Sequence, residues 1–153
     1  MVILNVPLPE SGHRFHDIVL NDGAPNGTRV DKHGTEVPVF DELSIWKVSE
    51  YSTFRVIVHI PEESAEKHLV DLCLAHQLGV EDWTTIRILC AKCSRGNPGP
   101  HECDAKPLED GSQRFGFGAK RQEDLASVLQ EWVSANAGAD FDKLELVLSA
   151  APN

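Results

Sequence analysis

Apolar residues occupy every second position of Phe54-Arg55-Val56-Ile57-Val58-His59-Ile60, with Arg55 and His59 among those between. This two-residue period predicts a strand with Phe54, Val56, Val58 and Ile60 on one face. Pro61 suits the first position of a helix, and Glu62 and Glu63 suit the positive end of its dipole. Ala65, Leu69, Leu72, Cys73 and His76 then recur at helical spacing, and Gly79 is placed to stop that helix. Val80 to Trp83 read as a connection to a second strand, from Thr84 to about Cys90. A third strand is expected over Gln113-Arg114-Phe115-Gly116-Phe117-Gly118-Ala119. A second helix follows from about Gln122 to Ala137, with Leu125, Val128, Leu129, Trp132 and Val133 along one face and Gly138 at its end. Leu144 to Leu148 form the last strand.

The order β-α-β-β-α-β is the ferredoxin-like plan, an α+β architecture with two helices over one face of a four-stranded sheet. On that plan a long cysteine-bearing hairpin loop joins the middle strands. The core occupies residues 52–153, and residues 1–51 form a β-rich N-terminal arm or subdomain. In the arm, short apolar runs end at Asn21-Asp22-Gly23 and Pro25-Asn26-Gly27, both turn signals. Thr28-Arg29-Val30 and Thr35-Glu36-Val37 flank Asp31-Lys32-His33-Gly34, which predicts a hairpin. Pro38 and Glu42 mark the run after it as an edge or irregular segment.

Charge narrows the partners. The formal net charge is -10, which disfavours nucleic acid and favours encounter with a basic protein. From Trp83 to Arg121, however, seven Lys/Arg stand against four Asp/Glu, so one basic tract lies within an acidic chain. No apolar run approaches the roughly 18 residues of a membrane span, and no cleavable leader is evident, so a cytoplasmic setting is expected.

The basic tract contains the densest candidate chemistry. Cys90, Cys93, His101 and Cys103 follow a C-x2-C-x7-H-x-C pattern with Gly96, Pro98 and Gly99 between the pairs. Two thiolates on a tight C-x2-C turn can share one ion, and a returning chain can supply a thiolate and an imidazole to complete a tetrahedron. This makes the four residues the expected ligands of a zinc ion. One residue between His101 and Cys103 is closer than standard sites use, so the chain must bend there. The C-x2-C pair follows a strand instead of opening a helix, so no helix dipole supports thioredoxin-type redox chemistry. Cys73 falls on an apolar helix face and reads as a small buried hydrophobe.

Phe115-Gly116-Phe117 resembles the aromatic-Gly-aromatic heart of the third-strand motif in RNA-recognition domains. Used that way, Arg114, Gly116 and Gly118 would have to fill the core beneath the helices, so the rings are expected to face the helices instead. The opposite face would carry Arg55 and His59 beside Ile57, Gly116 and Gly118, a floor for a small ligand unless the N-terminal segment or a second copy covers it. Gly116 to Arg121 run into a helix and offer a weak anion site, and His13 and His16 flank Arg14-Phe15 within reach of a metal. No nucleophile, zinc-protease or phosphate-loop motif is present. The expected function is that of a small binding or regulatory protein acting through contact with a partner protein, a basic one or a further copy in a homo-oligomer. The alternatives are an enzyme or ligand binder using the open sheet face and a zinc-dependent nucleic-acid module.

Overall fold

The computed structural model describes residues 1–30, 34–84, 113–150 and 152. Within them the chain is α+β, with two sheets and two α-helices. The strands and helices run in the order β1 (Ile18–Val30), β2 (Glu36–Lys47), β3 (Ser52–His59), α1 (Glu63–Ala75), β4 (Gly79–Asp82), β5 (Gln113–Ala119), α2 (Gln122–Ala135) and β6 (Asp140–Leu148). Among the described strands, β1 and β2 pair with each other as an antiparallel ribbon. The other four strands form one antiparallel sheet in the order β4-β5-β3-β6.

The periods read from the sequence locate the main core. Phe54, Val56 and Val58 of β3 and Phe115 and Phe117 of β5 are buried on one face of the sheet. They pack against Ala65, Leu69 and Cys73 of α1 and Leu125, Val128, Leu129 and Trp132 of α2. The Trp132 indole N–H donates to the Ala65 carbonyl at 2.7 Å, so the largest side chain of the core also joins the two helices. Phe115 and Phe117 therefore face the helices. His76 does not join the core: α1 ends at Ala75, and His76 lies exposed with Nε2 3.8 Å from Glu131. Gln77, not Gly79, takes the left-handed conformation after the helix, with φ 57°.

Gly79 instead opens β4, where a connection was expected. Gly79-Val80-Glu81-Asp82 has little strand propensity of its own; pairing with Gly118, Phe117, Gly116 and Phe115 of β5 makes it a strand. Of the strand expected from Thr84 to Cys90, only Thr84 is among the described residues. It is joined to β5 through its hydroxyl, which accepts from the Arg114 N–H at 2.9 Å.

The second face of the sheet is covered by the N-terminal segment. Val6, Phe15, Tyr51 and Trp83 are buried there as a separate cluster, flanked by Leu8 and Val147. Three glycines make room for it. A Cβ on Gly79 would lie 2.7 Å from Val6, one on Gly118 would lie 2.7 Å from Phe15, and one on Gly116 would penetrate the Trp83 ring. The Trp83 indole N–H donates to the Val6 carbonyl at 3.0 Å, and its backbone N–H donates to the Arg114 carbonyl at 2.8 Å. An aromatic ring thus lies against a strip of bare backbone, with the N-terminal segment fastened over it.

Gly116→Ala drives a methyl into the buried indole of Trp83, so this substitution is expected to destabilise the fold by about 1–3 kcal/mol. A lowered urea midpoint with an unchanged slope is the expected result. Gly27→Ala, where a Cβ meets open space, should leave the midpoint within about 0.5 kcal/mol of wild type.

Candidate functional site

The expected zinc ligands Cys90, Cys93, His101 and Cys103 lie outside the described residues. Among the described residues no group of three His, Cys, Asp or Glu side chains is arranged to hold a metal ion. Cys73 is fully buried in the core, where desolvation pushes its thiol pKa up to about 12.

The sites expected on the sheet are largely taken up by the chain itself. Gly116 and Gly118 lie under Trp83 and Phe15, so they form no open floor. Arg55 donates to Glu145 Oε2 at 2.7 Å, and exposed His59 lines only a shallow cleft of about 160 Å³ with Asp140, Asp142 and Lys143. At the start of α2, Arg121 pairs with Asp124 at 2.7 Å. Glu123 and Asp124 supply the negative charge that the helix N-terminus favours, in place of a bound anion. His13 and His16 do not converge on a common point. His13 Nε2 lies 2.7 Å from Glu42 of β2, whereas the His16 ring stacks on Phe15, edge-on to Tyr51, with a left-handed backbone at φ 69°.

What the structure does assemble is the ribbon and its root. Asn21-Asp22-Gly23 and Pro25-Asn26-Gly27 do not reverse the chain as their composition suggests; all six residues belong to β1. Asn21 and Asp22 accept from the N–H groups of Gly23 and Ala24, and Gly23 adopts φ 73°. The result is an irregularity in the β1–β2 register and not a turn. The tip residues 31–33 lie outside the described residues.

At the root, the Asp17 carboxylate is fully buried and tied to both ends of the ribbon. Oδ1 accepts from the Ser49 N–H at 2.7 Å, just beyond β2, and Oδ2 accepts from the Arg14 N–H at 2.8 Å, just before β1. The Asp17 carbonyl also accepts from Ile3, and Val2 bridges to Ile18, so residues 1–3 flank the root of β1. Arg14 donates to the Ser149 carbonyl at 2.8 Å, tying the same corner to the end of β6. Beside it, His16, Lys47, Ser49, Glu50, Tyr51 and Lys120 line a cleft of about 200 Å³. Lys120 lies 2.9 Å from Glu50 and 5.6 Å from the centre of the Tyr51 ring. This ammonium, and then Lys47, holds the Glu50 carboxyl below its ordinary range.

From this root β2 presents an apolar strip to solvent. Its register with β1 passes from Ser44 to Glu42 and from Ile45 to Lys47, so Leu43 and Trp46 are unpaired extra residues. Those two side chains are 65% and 71% exposed, with Ile45 and Val48 also exposed beside them. Bulges re-aim side chains and increase local twist, and here they coincide with the two most exposed apolar groups of the strip. Sequence reasoning passed over this stretch. Its signal was the lack of alternation in Leu43-Ser44-Ile45-Trp46-Lys47-Val48, an apolar run on both faces of a segment already marked as an edge.

Removing the Asp17 carboxylate leaves two N–H donors at the ribbon root without their acceptor. Asp17→Ala should therefore cost about 2–4 kcal/mol by urea unfolding, and Asp17→Asn, which retains one acceptor oxygen, distinctly less.

Against protein-family models, curated proteins and solved structures alike, this chain finds no match.

Proposed function

We propose that the chain is a small binding protein that acts through protein–protein contact, with the outer edge of the ribbon as its contact surface. The observation that carries this reading is Trp46, a tryptophan 71% exposed on a strand, at a bulge beside Leu43. Tryptophan is enriched among the residues that dominate interfaces, and large apolar side chains clustered in water are the costly alternative to a partner. Exposed Asp41 borders the strip on its tip side, beside the Glu42 that faces His13, and gives it a preference for a basic group on the other surface.

The four-stranded sheet with its two helices is assigned to the ferredoxin-like plan. Supporting this are the chain order β3-α1-β4-β5-α2-β6, the strand order β4-β5-β3-β6 and helices packed on one face. In this scheme the sheet is the platform and the ribbon is the working part. Cys90, Cys93, His101 and Cys103 are proposed as a zinc site on their spacing. Protein purified without chelator is expected to hold about one equivalent of zinc, lost on Cys90→Ser/Cys93→Ser. Three freely titrating thiols in the folded protein, with Cys73 shielded in the core, and no metal would remove that assignment.

The contact reading is tested by a photo-activated benzophenone amino acid in place of Trp46, compared with the same group in place of Leu74, a similarly exposed apolar residue on α1. Protein adducts from position 46 above the level at position 74 are expected. Equal or absent yields at the two positions would refute the reading.

A further inference from the structure

We infer that the occupant of the β2 edge is a second copy of this chain, paired antiparallel about a two-fold axis near Ser44. The inference rests on the ribbon being a contact surface, and it adds the identity of the partner. At the ribbon root β1 is flanked on its outer side by residues 1–3, whereas β2 has β1 on one side and, among the described residues, no strand on the other. From Val39 to Lys47 β2 contains no proline, so its outer edge keeps its backbone donors and acceptors. The prolines of the ribbon, Pro25 and Pro38, lie nearer the tip. A two-stranded ribbon is marginal on its own, and a further strand on its exposed edge is the ordinary way such an edge is satisfied.

The sequence of the strip names the partner. A two-fold axis perpendicular to a sheet makes one residue face its own copy, and its neighbours then pair in mirrored order. With Ser44 at the axis, Asp41 faces Lys47 of the second copy, Leu43 faces Ile45, and Phe40 faces Val48, each pair occurring twice. Moving the axis to Leu43 sets Asp41 against Ile45 and Lys47 against Val39, and moving it to Ile45 sets Lys47 against Leu43. Only the Ser44 register gives both ion pairs together with the Leu43–Ile45 and Phe40–Val48 contacts, and it sets Glu42 beside Trp46 of the second copy. The bulges at Leu43 and Trp46 prevent an unbroken ladder, but the order along the strip survives them: acids at one end, base at the other, apolar groups between. Two such strips laid head to tail are complementary, and the basic group that Asp41 favours is Lys47 of the other copy. A strip this short is well below the roughly 20–30 residues a side of a standard interface, so the dimer is weak and concentration-dependent.

The test uses the full chain in light scattering or sedimentation across a concentration series. Asp41 and Lys47 are exposed, and an unchanged circular dichroism spectrum and urea midpoint check that each variant keeps the fold. Wild type is expected to dimerise, and Asp41→Lys alone and Lys47→Asp alone to weaken the dimer roughly tenfold or more by placing like charges opposite each other. Mixing the two single variants should restore association, because the ammonium introduced at position 41 of one chain then meets the carboxylate introduced at position 47 of the other. The double variant should restore it in a single chain. A monomer at every concentration, or a dimer that all variants form equally, overturns the inference. The benzophenone at position 46 separates this failure from failure of the contact reading. An adduct of twice the chain mass supports both, adducts with other proteins alone overturn only the second-copy assignment, and no adduct overturns both.

Discussion

The arrangement of the molecule depends on one buried carboxylate. Asp17 occupies the corner where the N-terminal segment, β1 and the end of β2 meet, and it accepts hydrogen bonds from backbone N–H groups on two of them. A charge taken fully out of water is tolerated only when its oxygens are well paired, so the groups around it must hold their positions together. Residue 14 is then fixed relative to residue 49, and the chain on either side inherits that geometry. One branch crosses the sheet face as the N-terminal cover, and the other leaves as the ribbon.

The sheet separates two kinds of packing. On the helix side, interdigitated aliphatic and aromatic side chains form a conventional core, joined across the helices by the Trp132 indole. On the other side there is almost no side-chain relief on the strands: Gly79, Gly116 and Gly118 leave backbone bare, and Val6, Phe15 and Trp83 come down onto it. The second core is supplied mainly by residues outside the sheet. The N-terminal segment is therefore integral to the face it covers, and among the described residues the uncovered part of that face lies on the β3–β6 side.

The sequence made most of the main core legible, because there burial and periodicity coincide. Phe54, Val56, Val58, Leu69, Leu125 and Leu129 announce their faces by spacing alone, and Gln113–Ala119 matches its strand end to end. β4 was hidden because Gly79, Glu81 and Asp82 are poor strand residues whose conformation is imposed by β5, a tertiary effect that no local window contains. The tip end of the ribbon was legible as a hairpin, Arg29 pairing with Val37 and Val30 with Glu36, but its length was hidden for the opposite reason. Its local signals are strong turn signals, and only cross-strand pairing converts Asn21-Asp22-Gly23 from a reversal into an irregularity within a strand. The partial cover over the glycines was foreseeable as a need, since a bare glycine strip asks to be filled. Which residues fill it depends on Asp17, whose role is invisible without coordinates. The cysteine loop, the most conspicuous chemistry in the chain, falls outside the described residues.

The three tryptophans divide the molecule among themselves. Trp132 joins the helix pair, Trp83 lies between the sheet and its N-terminal cover, and Trp46 stands in water on the ribbon. Each indole therefore belongs to a different layer, two screened from solvent and one bathed in it. With two of the three replaced by phenylalanine, the emission of the survivor reports on a single layer: helix docking, closure of the cover, or what touches the ribbon. The chain carries its own three-channel optical readout, and loosening of the cover can be told from engagement of the ribbon without attaching a dye.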